Sequence, residues 1–209
     1  MILYDHPLSG NCYKVRLLLA HLKRPYERVS VDVLGDRTQR PAEFFEQNPA
    51  GKIPLLVLDD GRCLAESNAI MSYLARDTDY LPDDAFVQAQ VLQWMFFEQN
   101  QHETSIAARR YWVSIAESSE PAAALLPAWS KAGDRALEVM EQHLRTRDFF
   151  VGERYSIADI ALYAYTHVAS EGEFDLEPLP AVRSWLRRVA AQPGHVRIED
   201  GADASSAVT

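Results

Sequence analysis

Asn48-Pro49-Ala50-Gly51-Lys52-Ile53-Pro54-Leu55-Leu56-Val57-Leu58-Asp59-Asp60-Gly61 reads as a loop, a strand and a hairpin turn in succession. Proline at the last loop position removes a ladder donor, and an X-Pro bond is where a cis peptide costs least. A cis Ile53-Pro54 bond would turn the Ile53 N–H and C=O outward, toward a peptide-like ligand laid along the edge. The run Leu55–Leu58 has the length and character of a buried strand, and Asp59-Asp60-Gly61 turns it into Cys63-Leu64-Ala65.

Upstream, Ile2-Leu3-Tyr4 is a strand closed by Pro7 and Gly10, and Val15, Leu18, Leu19 and Leu22 repeat at helical spacing. Val29-Ser30-Val31 is a second strand, 35–40 a loop, and Pro41 opens a short helix through Phe44 and Phe45. Downstream of the hairpin, helical periodicity resumes from Ser67 to Ala75. The order is βαβ, a loop with a short helix, then ββα, which implies a small mixed sheet with helices packed on it.

Beyond Tyr80 the strand signals stop. Val87, Val91, Met95 and Phe96 begin a long helix reaching about Tyr111, and Pro121 opens another through Leu125, Trp129, Leu137 and Leu144. A third starts after Tyr155 and a fourth after Pro180. The expected organisation is an α/β domain over 1–77, a linker over 78–86, an all-helical domain over 87–196 and a frayed tail over 197–209.

With 209 residues, 47% hydrophobic and 24% charged, the composition is that of a soluble globular protein of one large or two small domains. No apolar run approaches the roughly 18–20 residues needed to span a bilayer, and no signal peptide is visible at the N-terminus. The net charge of −9, with most of the acidic excess beyond residue 80, argues against nucleic acid, whose phosphates need a basic face. Cys12 and Cys63 are too few for a disulfide framework and suit a reducing cytoplasm, and zinc-site spacings are missing.

Ser9-Gly10-Asn11-Cys12 lies where the first strand hands over to the first helix, and unpaired N–H groups at a helix start favour an anion. Serine in place of a first cysteine excludes an intramolecular dithiol at this turn. A hydroxyl or amide there can instead donate to a bound thiolate and lower its pKa from about 8.5. The bland alternative makes Ser9 an N-cap and Asn11 a turn residue. Glu66-Ser67 precedes a helix in the same way: Ser67 and the first-turn N–H groups suit a carboxylate, and Glu66 an ammonium, which together make an amino-acid head group.

These residues, in this order and spacing, resemble the cytosolic glutathione transferase superfamily over nearly the whole chain, with Asn-Pro-x-Gly-Lys-Ile-Pro and Glu-Ser-x-Ala-Ile the specific parts. The resemblance implies a thioredoxin-like α/β N-terminal domain followed by an all-α helical-bundle domain, and a cytoplasmic homodimer that conjugates glutathione in detoxification. It implies glutathione as co-substrate with no metal, its cysteinyl amide on Ile53 beside Pro54, its γ-glutamyl head at Glu66 and Ser67, and its glycine carboxylate near Lys52 and Gln39. The sulfur is expected by Ser9, as in theta- and delta-like classes, with Asn11 the second candidate, as in some bacterial relatives; Cys12 packs inward and Cys63 belongs to the core. A glutathione-dependent disulfide-bond reductase, isomerase or dehalogenase shares the same first half. A non-catalytic glutathione-binding or regulatory protein is the other class.

In the helical half, Ser156 and Asp159 resemble the family's capping box, with Tyr155 packing on Ile160. Helical spacing puts Met95, Gln99 and His102 on one stripe, a candidate electrophile pocket or dimer contact. The resemblance allows Glu103 or Gln99 to be lent across a dimer to the γ-glutamyl ammonium. A lone histidine such as His102 is more often solvated or packed than an acid–base group.

Overall fold

A computed structural model of the protein describes residues 1–33, 35, 40, 42–116 and 118–200. Contacts divide the chain into two compact units: Met1–Arg76 together with the segment from Pro193, and Asp77–Gln192.

The first unit is built on a four-stranded mixed sheet of order β2-β1-β3-β4. Strand β1 (Ile2–Asp5) pairs parallel with β2 (Glu27–Ser30) across helix α1 (Gly10–His21). Helix α2 (Ala42–Gln47) comes next, then the hairpin of β3 (Leu55–Val57) and β4 (Cys63–Ala65), with β3 antiparallel to β1, and finally helix α3 (Ser67–Leu74). The element order is the one the periodicity predicts. Pro41, expected to open α2, lies outside the described residues. Leu3, Leu55 and Leu56 are fully buried in the strands and Leu17, Leu18 and Leu19 in α1, so the two periodicities meet in one core.

Cys63 corrects its expectation. It is exposed, because β4 is the edge strand and shows one side to water. Of the tail expected over 197–209, residues 201–209 lie outside the described residues, and the described part is not frayed. Ile198 is buried, its carbonyl accepts from Arg16 Nη2 at 3.0 Å, and the Tyr13 hydroxyl donates to the Val196 carbonyl at 2.7 Å. Residues 193–200 therefore dock on α1. Tyr13→Phe should cost about 1 kcal/mol in chemical denaturation, the net worth of one such hydrogen bond.

The second unit is helical: α4 (Ala85–Phe97), α5 (Glu103–Arg110), α6 (Leu126–Leu144), α7 (Ile157–Thr166) and α8 (Pro180–Ala190). Asp84 caps α4 by accepting from the Val87 N–H at 2.9 Å. Every residue of α7 is buried, which makes it the centre of the unit, since a helix covered on every side has no face for water. Trp94, Phe150 and Trp185 form a continuous ring cluster, with centroids 4.6 and 5.1 Å apart.

The capping box at Ser156 and Asp159 is present. Tyr155, expected on Ile160, meets the rings of Tyr80 and Phe149. The long helix expected to reach Tyr111 is broken in register: π turns occupy Glu98–His102 and Tyr111–Ile115. Among the described residues no helix is long and apolar enough to cross a membrane.

Candidate functional site

Three element ends of the first unit carry the candidate residues. At the start of α1, Ser9 is extended (φ −78°, ψ 117°) and its Oγ accepts from the Cys12 N–H at 3.2 Å. That is the capping role, and it uses an oxygen lone pair while the hydroxyl proton stays available as a donor. Cys12 is fully buried, and burial pushes its thiol well above the ordinary range, so it is no thiolate nucleophile.

Asn11 is held differently. Its Oδ1 accepts from Lys14 Nζ at 2.8 Å and from Ser67 Oγ at 3.1 Å. An ammonium has only donors, so the amide atom facing Lys14 must be the oxygen, and the flip of the side chain is settled by chemistry. The N–H2 group is then the end turned away from Lys14. The same two bonds bring Ser67, the first residue of α3 and itself buried, onto the α1 turn. In the sequence the α1 turn and Glu66-Ser67 look like separate sites; the structure joins them through Asn11.

The Ile53-Pro54 bond is cis. Pro54 is buried and Ile53 half-buried at the entry to β3. The loop before it is tied down by two side chains to which the sequence assigns no role. Asn48 Nδ2 donates to the Lys52 carbonyl at 2.6 Å, and Arg40 donates from Nη1 to the Gly51 carbonyl at 2.8 Å and from Nε to the Asp32 carbonyl at 3.0 Å. Lys52 keeps its side chain exposed, available to a carboxylate. Gln39 lies outside the described residues.

Glu66, exposed, occupies a positive-φ conformation (φ 70°, ψ 115°) directly before α3. An L-residue rarely adopts that geometry without a reason, and such residues concentrate at ligand-binding turns. Lys14 is a third residue that the sequence does not single out. Its signal is a lysine three positions after Asn11 on the same helix, a spacing that brings side chains together.

Two of the three residues of the candidate electrophile stripe are buried and the third, Gln99, is half-buried. His102 is fully buried, with Nε2 2.9 Å from Thr166 Oγ1, and Met95 is buried in the same helical interior. Gln99 donates to Glu103 at 3.1 Å. A π turn occupies Glu98–His102, and Met95 before it and His102 at its end are both buried.

A mixed sheet of this order, entered by a cis-proline loop and followed by an all-helical unit, is a thioredoxin-like domain joined to an α-helical domain. Residues 8–77 match the family description "Glutathione S-transferase, N-terminal domain" and 104–193 match "Glutathione S-transferase, C-terminal domain". A glutathione S-transferase structure from Pseudomonas fluorescens is 48% identical, covering 94% of this chain and 98% of that one, with a TM-score of 0.91. The disulfide-bond oxidoreductase YfcG of Escherichia coli is 30% identical over 91% of this chain and 90% of its own. Elongation factor 1-gamma of Artemia salina is 32% identical over 81% of this chain, which spans only 40% of that longer protein. The chain belongs to the glutathione S-transferase family.

Proposed function

We propose that the protein is a glutathione transferase that binds the tripeptide on its first unit, stabilises the thiolate and directs it at a small hydrophobic electrophile. The observation that carries this reading is the fixed amide of Asn11, whose oxygen is taken by Lys14 and Ser67 so that its N–H2 end is the donor beside the α1 turn. In this reading the cysteinyl amide pairs with the Ile53 backbone beside cis Pro54. The γ-glutamyl head meets Glu66 and Ser67, and the glycine carboxylate meets Lys52.

Thiolate stabilisation comes from the Asn11 amide and the α1 N–H groups, all oriented before the ligand arrives. They cost no reorganisation when charge develops on sulfur. Ser9 keeps its hydroxyl proton while its oxygen caps the helix, and Asn11 is placed ahead of it as the sulfur donor because two donors fix its amide. The thiolate then attacks the electrophile directly: a C–S bond forms as the leaving group departs, and no covalent bond to a protein side chain is made. The protein acts as a homodimer in the cytoplasm.

The ultraviolet thiolate absorbance of bound glutathione, titrated against pH, tests the assignment. Asn11→Ala should raise the thiol pKa by about one unit, roughly a tenfold loss of thiolate below the pKa, and Ser9→Ala by less. A bound thiol with the pKa of free glutathione in the unaltered protein would end the transferase reading and leave a binding module.

Reduction of disulfides is the second reading, favoured by an amide rather than a hydroxyl at the sulfur and by the resemblance to YfcG. Two glutathione thiols would then reduce one disulfide to two thiols and leave as glutathione disulfide. Parallel rates with an aryl halide and with a small dialkyl disulfide separate the two chemistries.

A further inference from the structure

Lys14 is a lysine with no exposed surface, on a helix buried along most of its length. Burying an ammonium is costly unless it is hydrogen-bonded, and its Nζ is 2.8 Å from Asn11 Oδ1. That oxygen has a second donor, Ser67 Oγ, at 3.1 Å. The two donors are not equivalent. A serine hydroxyl has a single proton, so it cannot donate to Asn11 and to an incoming carboxylate at once, whereas Lys14 has no reason to let go.

We propose that Lys14 is a positioning residue for sulfur activation: it holds the Asn11 oxygen so that the amide presents its N–H2 end to the thiol, and it keeps that hold when Ser67 turns its proton to the carboxylate of the γ-glutamyl head. This rests on the reading of Asn11 as the thiol donor. Lys14 itself does not touch substrate. It fixes the polarity of a group that otherwise could rotate by half a turn and offer the sulfur an oxygen, which would repel a thiolate. Head-group binding at α3 and thiol activation at α1 are thereby separated: the ligand can recruit Ser67 without loosening Asn11.

The test is the thiol pKa of bound glutathione, with steady-state kinetics, in the full-length protein and in Lys14→Met, Asn11→Ala, their double variant and Ser67→Ala. Lys14→Met should raise the thiol pKa by about as much as Asn11→Ala, about one unit, and lower kcat about tenfold while changing KM for glutathione by less than about threefold. The double variant should be no worse than either single change, because both remove the same donor. Ser67→Ala should raise KM and leave the thiol pKa within about 0.3 unit.

An unshifted pKa in Lys14→Met beside a raised one in Asn11→Ala overturns the role of Lys14 and leaves the activation reading standing. Additive shifts in the double variant also overturn it, since Lys14 would then act on sulfur by its own charge. If Lys14→Met does not fold, Ser67→Ala still decides, because a pKa raised as far as in Asn11→Ala makes Ser67 the holder of the amide. If Asn11→Ala shifts nothing, the activation reading falls first and the role of Lys14 falls with it.

Discussion

Asp5→Ala should unfold the first unit at a markedly lower denaturant concentration, losing about 3–5 kcal/mol, the usual cost of leaving a buried charge without its partner. Asp5 ends β1 with no exposed surface. One carboxylate oxygen is 2.6 Å from Arg16 Nη1, and the other pairs with Arg28 Nε. Both guanidiniums are themselves buried, at 3% and 7% exposure, so neither can turn to water when the carboxylate goes.

The effect reaches further than the ion pair. Arg16 also donates to the carbonyls of Pro7, at 3.2 Å, and Ile198, at 3.0 Å, so its guanidinium holds the turn leading into α1 and the docked C-terminal segment together. Urea denaturation followed by far-ultraviolet circular dichroism reads the loss, and limited proteolysis near Val196 reads the loosened segment. Asp60→Ala is the control. Its pairing with Arg62 is open to water on both sides, and removing it should leave the midpoint where it was.

The features legible in the sequence and those that were not divide along a physical line. Local chemistry marked the element ends: Gly, Pro, Ser and Asn punctuate the chain at Ser9-Gly10-Asn11, at Ile53-Pro54 and at Glu66-Ser67, because turns and caps constrain residue type within a few positions. The order of strands and helices came from two distinct periodicities. Interactions between residues distant in sequence left no such mark. Ser67 reaches Asn11 across 56 positions, and Ile198 reaches Arg16 across 182. Nothing in the sequence singles out Lys14, because composition says nothing about which helix ends up buried along most of its length. Periodicity also gave no sign of a change of pitch: the helix expected to reach Tyr111 is interrupted by π turns at Glu98–His102 and Tyr111–Ile115. The proposed thiol-facing end of the site is legible in the sequence as a pair of candidates, Ser9 and Asn11, and the proposal that puts Asn11 first rests on its partners Lys14 and Ser67.

Asp159 should be as costly to remove from the helical unit as Asp5 is from the first, for a different reason. Its partners are neutral donors. Its Oδ1 accepts from Trp185 Nε1 at 2.9 Å and from the Phe150 N–H at 3.1 Å, and its Oδ2 from the Ser156 N–H at 3.0 Å and the Ser156 hydroxyl at 3.1 Å. Asp159→Ala strands several buried donors at once, and a total loss of about 3–5 kcal/mol is expected from their combined desolvation. Its pH dependence discriminates between burial and hydrogen bonding. Burial pushes the carboxyl from its ordinary 3.8 up to about 6, against the opposing pull of the Trp185, Phe150 and Ser156 donors. A raised pKa means that the folded state holds the proton more tightly than the unfolded chain between about pH 4 and 6. This group's contribution is therefore full below about pH 4 and is lost as pH rises through about 6. Asp159→Asn abolishes the titration while nearly preserving volume. The stability advantage of the native protein over Asp159→Asn should accordingly shrink between about pH 4 and pH 7, by up to about 3 kcal/mol for a shift of this size. An advantage that grows over the same interval would mean that the four donors outweigh burial and that the carboxylate is stabilised as an anion inside the helical unit.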